Sequence, residues 1–188
     1  MPSRSAADWQ ILAGHDGAPR IHLDGRILDI PISLSHSGPR AFCVLSDSDI
    51  RLGCDLEMVE PRSRPFEETY FCESELNWLD QCDQAERDRY VTLIWSAKES
   101  VLKALHVGLM ADTRRVVVRQ PVSSNKNGWM CIEASDREES ELYRGWWRIA
   151  GNSIYTLLSD RAISQPINLP VKPVGQLNSM QCRQMNTW

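Results

Sequence analysis

The chain of 188 residues has no excess of positive charge: 21 Lys and Arg stand against 25 Asp and Glu, a net charge of −4. Domains whose main task is gripping nucleic-acid phosphates carry a basic excess on one face, so no nucleic-acid partner is expected, although one local basic pocket for a phosphorylated ligand is not excluded. No apolar run approaches the roughly 18 residues of a membrane span. The first ten residues, with Arg4 and Asp8, have no apolar centre of signal-peptide length. A cytoplasmic protein with no membrane partner is the expectation. The six cysteines, at 43, 54, 72, 82, 131 and 182, include no CxxC pair, and only four His accompany them. Reduced, incidental thiols therefore fit better than disulfides or a thiolate metal site. Neither a GxSxG elbow nor a P-loop lysine motif occurs, which leaves serine-hydrolase chemistry and P-loop phosphate binding without support. Phe and Tyr are scarce, at three and four, whereas seven Trp are spread from position 9 to 188.

The remaining composition, 42% hydrophobic and 24% charged with ten Gly and ten Pro, is that of a globular chain. Gly14 to Pro19 reads as a turn. Ile30, Ile32 and Leu34 then alternate with Pro31, Ser33 and Ser35 as in a half-buried strand, and Ala41 to Leu45 follows the Gly38-Pro39 turn signal. Ile50, Leu52, Cys54 and Leu56 alternate with Arg51, Gly53, Asp55 and Glu57, so the three segments are expected to form a meander. Phe66 to Leu79 reads as helical in pieces. Asp83 with Glu86 resembles a capping box opening a long helix to about His106, with Gly108 as its C-terminal cap. Strand-like runs return at Arg115–Arg119, Trp129–Glu133, Trp146–Ala150 and Ile154–Leu158. Strands at both ends and helices between them predict an α+β fold. From Ala162 on there is no acidic residue, and Pro stands at 166, 170 and 173, so 162–188 reads as an extended or disordered tail.

Three groups of residues could carry chemistry. Asp55 and Glu57, two apart on a strand, point to one face with Cα atoms about 6.5–7 Å apart. Two such carboxylates are either solvated or share a cation, for which Mg²⁺ is the usual hard ion. Spacing alone favours the solvated face; Gly53 on that same face shifts the weight, because it clears room for something to approach closely. Trp95, Glu99 and Lys103 follow i, i+4, i+8 and form one helical stripe with Lys98 beside it, which is an ordinary surface pairing unless the stripe faces Asp55 and Glu57. Ser35, His36, Ser37 and Gly38 end the first strand, as a plain turn or as hydrogen-bonding groups for a phosphate.

The order of these blocks, Ser35-His36-Ser37-Gly38, Gly53-Cys54-Asp55-Leu56-Glu57, Phe71 to Glu75 and Trp95-Ser96-Ala97-Lys98-Glu99 with Lys103, resembles the 4′-phosphopantetheinyl transferases of the surfactin-synthetase-activating type. The resemblance runs from about Gly14 to Leu109. It implies an enzyme that transfers the phosphopantetheine arm of coenzyme A to a serine of an apo acyl or peptidyl carrier protein, releasing 3′,5′-ADP with Mg²⁺. The carrier would belong to fatty-acid, polyketide or nonribosomal-peptide biosynthesis. Asp55, Glu57 and Glu99 match the metal carboxylates, Glu99 the general base and Lys103 the residue serving the departing phosphate. Ser35, His36, Lys98 and Lys103 match coenzyme A positions, and Glu75 an acidic position near the metal.

The resemblance also implies two similar α+β halves, here a shortened N-terminal half at 1–58 and a C-terminal half at 59–161. The chain is expected to be a monomer, or a homodimer if self-association completes the short half. The family's Gly-Lys-Pro appears as Gly17-Ala18-Pro19, without the lysine; Arg20 and Arg40 are the available substitutes. A non-catalytic carrier-binding or coenzyme A-binding relative is the alternative, and an unrelated Mg²⁺-dependent phosphoester hydrolase a weaker one. Phe71, Leu76, Trp78 and Leu79 are read either as carrier contacts or as core.

Overall fold

The computed structural model describes residues 8–108, 111–121 and 128–169. Among these residues ten strands and three α-helices follow one another in an α+β order. β1 (Trp9–Ala13), β2 (Pro19–Leu23) and β3 (Arg26–Leu28) make a small antiparallel sheet, and β4 (Ile32–Ser37) pairs with β5 (Arg40–Leu45) as a hairpin. β6 (Leu52–Met58) leads into α1 (Arg64–Tyr70), α2 (Glu73–Asp80) and α3 (Gln84–Ala104). After a 3-10 turn at Thr113–Arg115 come β7 (Val116–Val118), β8 (Met130–Asp136), β9 (Glu141–Ala150) and β10 (Ser153–Ser159). The main sheet is antiparallel in the order β6-β10-β9-β8-β7. The expected boundary at 58 thus falls at the end of a strand hydrogen-bonded into the sheet of the following segment. No helix among the described residues is long and apolar enough to cross a membrane.

The expected meander of three strands is corrected. β4 and β5 pair with each other, but β6 pairs with β10, through Asp55 opposite Thr156 and Glu57 opposite Ile154. β6 is therefore an edge strand whose outward N–H groups need partners. Serine hydroxyls of β4 supply them: the Cys54 N–H donates to Ser33 Oγ at 2.9 Å and the Leu56 N–H to Ser35 Oγ at 3.2 Å. The alternation of β6, which suggested one wet face, instead serves two packed faces. Leu52, Cys54 and Leu157 lie against Phe42, Val44, Trp146 and Ile163, while the opposite face is covered by α3.

α3 is the central element of the larger core. Val91, Ile94, Ala97, Val101 and Leu102 are buried with Ile132, Tyr143, Trp147, Ile154 and Leu158 from the sheet. Phe71, Trp78 and Leu79 belong to that core and Leu76 packs against it, so none of the four forms an apolar docking face. The ends of α3 also differ from expectation. Asp83 is the N-cap, but its side chain makes no capping bond. A glutamate reaching back to a cap N–H occurs instead at α2, where Cys72 N–H donates to Glu75 Oε2 at 2.9 Å. At the C-terminus the His106 N–H bonds to Lys103 O and the Val107 N–H to Leu102 O, a Schellman arrangement with His106, at φ +56°, in the left-handed position expected of Gly108. Of the expected tail, 162–169 carry no helix or strand and 170–188 lie outside the described residues. The five cysteines among the described residues are free.

Candidate active site

The site forms where α3 crosses β6, and small residues make the crossing close. A Cβ at Gly53 would stand 1.8 Å from the Ser100 carbonyl oxygen and 2.7 Å from the Ala104 nitrogen, so only glycine fits beneath the helix. The close approach that the sequence hints at is thus that of the helix backbone itself. Beside it Thr156 Oγ1 lies 2.8 Å from Ser96 Oγ and 2.7 Å from Ser100 Oγ and donates to Ser96 O at 3.0 Å, a polar seam that fixes the helix on β10 directly opposite Asp55. With α3 seated there, the stripe Trp95, Glu99, Lys103 overhangs the face of β6 that carries Asp55 and Glu57.

Contacts in the site follow from that seating. Asp55 is 4% exposed; its Oδ1 accepts from Lys103 Nζ at 2.7 Å and from Ser35 Oγ at 2.8 Å. Glu57 Oε1 accepts from Trp95 Nε1 at 3.1 Å, and its Oε2 lies 3.4 Å from Arg62 Nη2. Two buried carboxylate oxygens have no partner, Asp55 Oδ2 and Glu99 Oε1. Burial, then the neighbouring Asp55 and Glu57 charges, push the Glu99 carboxyl up to about 7 against the opposing pull of Lys103. Glu57 is raised as well, chiefly by burial and by Asp55, against the Trp95 bond and Arg62. Burial weakens the charged form of Lys103, but the Asp55 charge and hydrogen bond outweigh it and the ammonium is held above its ordinary value.

The expected residues do not all meet. Asp55, Glu57, Glu99, Lys103 and Ser35 come together; His36 is exposed at the end of β4. Lys98 does not join them, because adjacent helical positions diverge by about 100°. It is fully buried on another side of α3, 2.9 Å from Glu75 and bonded to the carbonyls of Thr113 and Val116. Glu75 also accepts from the Val118 N–H at 2.8 Å. The Lys98–Glu75 pair thus joins α3, α2 and β7 and is separate from the carboxylate cluster. Arg20 is paired with Asp16 at 2.8 Å, and Arg40 donates to Ser153 Oγ at 2.6 Å. Arg62 was missed: it follows a strand end in a loop, where no periodicity indicates a direction.

Among the described residues no three His, Cys, Asp or Glu side chains converge closely enough to form a metal cage by themselves. The donor set does fit a hard divalent ion of the kind held by one or two carboxylates and completed by water and substrate phosphates, because Asp55 and Glu99 each present an unpartnered buried oxygen. The family model of the 4′-phosphopantetheinyl transferase superfamily matches residues 51–150, just over half of the chain, and the chain belongs to that superfamily. The 4′-phosphopantetheinyl transferase Sfp of Bacillus subtilis (strain 168) is 30% identical over 108 residues, 57% of this chain and 46% of that relative. The chain spans about half the length of the curated relative it matches.

Proposed function

We propose that the protein transfers the 4′-phosphopantetheine arm of coenzyme A to a serine hydroxyl of an apo acyl or peptidyl carrier protein, with Mg²⁺, in the cytoplasm. The observation that carries this reading is the pair of orphaned buried oxygens on Asp55 and Glu99 beside the Lys103 ammonium. Asp55 and Glu99 would hold the cation, with Glu57 beside them. When bound, it supplies charge neutralisation for the pyrophosphate that the reaction cleaves. Glu99 is the carboxylate placed to take the proton of the carrier serine, directly or through water. The serine oxygen then bonds to the phosphorus bearing pantetheine, the bridging P–O bond breaks, and its electron pair leaves with 3′,5′-ADP. Lys103, kept charged by Asp55, faces the departing phosphate as a point charge or proton donor. Ser35 steadies Asp55 from β4, and His36, exposed at the strand end, would serve the adenosine 3′-phosphate end of coenzyme A, the part the resemblance assigns to it.

Incubation with apo carrier, coenzyme A and Mg²⁺ is expected to add one phosphopantetheine mass to the carrier. Asp55→Ala and Glu99→Gln are expected to lower the rate at least about a hundredfold while the fold is retained. No mass shift across a panel of carriers, in tubes where a control enzyme works, refutes the activity. Carrier or coenzyme A binding without turnover would then favour the non-catalytic reading, which the missing lysine at Ala18 supports.

A further inference from the structure

The acids of the site carry two cationic side chains, and only Lys103 comes from α3. The other, Arg62, lies in the segment joining β6 to α1. Its Nη2 is 3.4 Å from Glu57 Oε2 and 3.1 Å from Glu60 Oε1, and its guanidinium carbon is 5.1 Å from the centroid of the Phe66 ring. Phe66 in turn meets Trp95 edge-on at 5.1 Å, and Trp95 donates to the other oxygen of Glu57. Arg62, Phe66, Trp95 and Glu57 therefore form a closed ring of contacts in which one glutamate oxygen faces a neutral donor and the other a cation. The ion pair is weak: it is long, and both side chains are 23% exposed. The Arg62 Nε is buried without a partner, so the guanidinium is held by charge and ring contact rather than by a full set of hydrogen bonds.

A divalent cation at the free oxygens of Asp55 and Glu99 would meet the Arg62 charge across Glu57, and the two cations would draw on the same carboxylate. We infer that Arg62 is a built-in counter-ion that lowers the affinity of the site for its divalent cation by competing for Glu57. In the metal-free protein it offsets the repulsion between three acids, and its weak pairing lets it give way without any change of fold. The inference rests on the metal-binding reading above.

The test is Mn²⁺ titration of the metal-free full-length chain, with free Mn²⁺ read by electron paramagnetic resonance at low, constant ionic strength. Arg62→Gln removes the charge and is expected to bind Mn²⁺ about three- to fivefold more tightly than the parent, whereas Arg62→Lys stays within about twofold. Arg62→Met gives the same readout if the glutamine variant does not fold. A merely structural role would lower the melting temperature without tightening Mn²⁺ binding. If the parent binds Mn²⁺, Asp55→Ala does not, and Arg62→Gln binds no more tightly than the parent, the counter-ion role is overturned while the metal site stands. If the parent binds no better than Asp55→Ala, the metal reading fails and the inference fails with it.

Discussion

Glu99 is the residue whose surroundings say most about the chemistry. It lies on the half-buried edge of α3, one oxygen has no partner, and its nearest charges are two acids and one lysine. The folded protein keeps its proton up to about pH 7, whereas the unfolded chain releases it near the ordinary 4.5. Stability from this group is therefore full below pH 4.5 and is lost as pH rises through about 7. Glu99→Gln mimics the protonated form at every pH. In metal-free buffer its melting temperature is expected to match the parent near pH 4 and to exceed it at pH 8, in thermal unfolding followed by circular dichroism. An equal difference at both pH values would show that Glu99 titrates normally. The identity of Glu99 as a candidate was legible from its place in the stripe, but its raised carboxyl was not, since burial and the neighbours on β6 are properties of the fold.

At the scale of elements, the decisive feature is how α3 sits on the sheet. The helical period alone predicts that Trp95, Glu99 and Lys103 share a stripe, and the structure has them so. The period does not say which element the stripe faces. That follows from Gly53, Ser96, Ser100 and Ala104, whose small size brings the helix onto β6 and β10. Lys98 shows the converse: adjacent to Glu99 in sequence, it points into the core to pair with Glu75, and burial lowers its pKa against the pull of that partner. Lys98→Met leaves Glu75 as an uncompensated buried charge and is expected to cost about 3–5 kcal/mol in urea unfolding. Glu75→Gln in the same chain is expected to recover part of the loss, with the KM for coenzyme A of the folded protein unchanged in both. A raised KM at unchanged stability would instead make Lys98 a coenzyme ligand. The small sheet β1–β3 was not legible beyond its turn, because five- and three-residue strands leave too few alternations to read, and those of β1 are wholly exposed.

For the whole molecule, α3 covers one face of the main sheet at its edge strand β6, the β4–β5 hairpin lies against that edge and the opposite face, and the start of the C-terminal segment packs beside the hairpin. Trp146 Nε1 donates to the Ile163 carbonyl at 3.1 Å, and Ile163 packs on the cluster of Leu52, Cys54 and Leu157. Removing everything after Arg161 is expected to cost about 1–2 kcal/mol in urea unfolding. Ile163→Ala in the full chain is expected to reproduce much of that cost; if neither change moves the transition, the contact carries no stability. The sequence by itself determined the α+β class, because strand alternation and helical period are local, and it determined which acids and which lysine stand at fixed spacings on their own elements. Only the tertiary structure decided that β6 is buried on both faces, that it pairs with β10 rather than β5, that Lys98 leaves the site and that Arg62 enters it. These depend on which elements meet, and that is set by long-range packing between residues as far apart in sequence as Leu52 and Ser159, which no local period records.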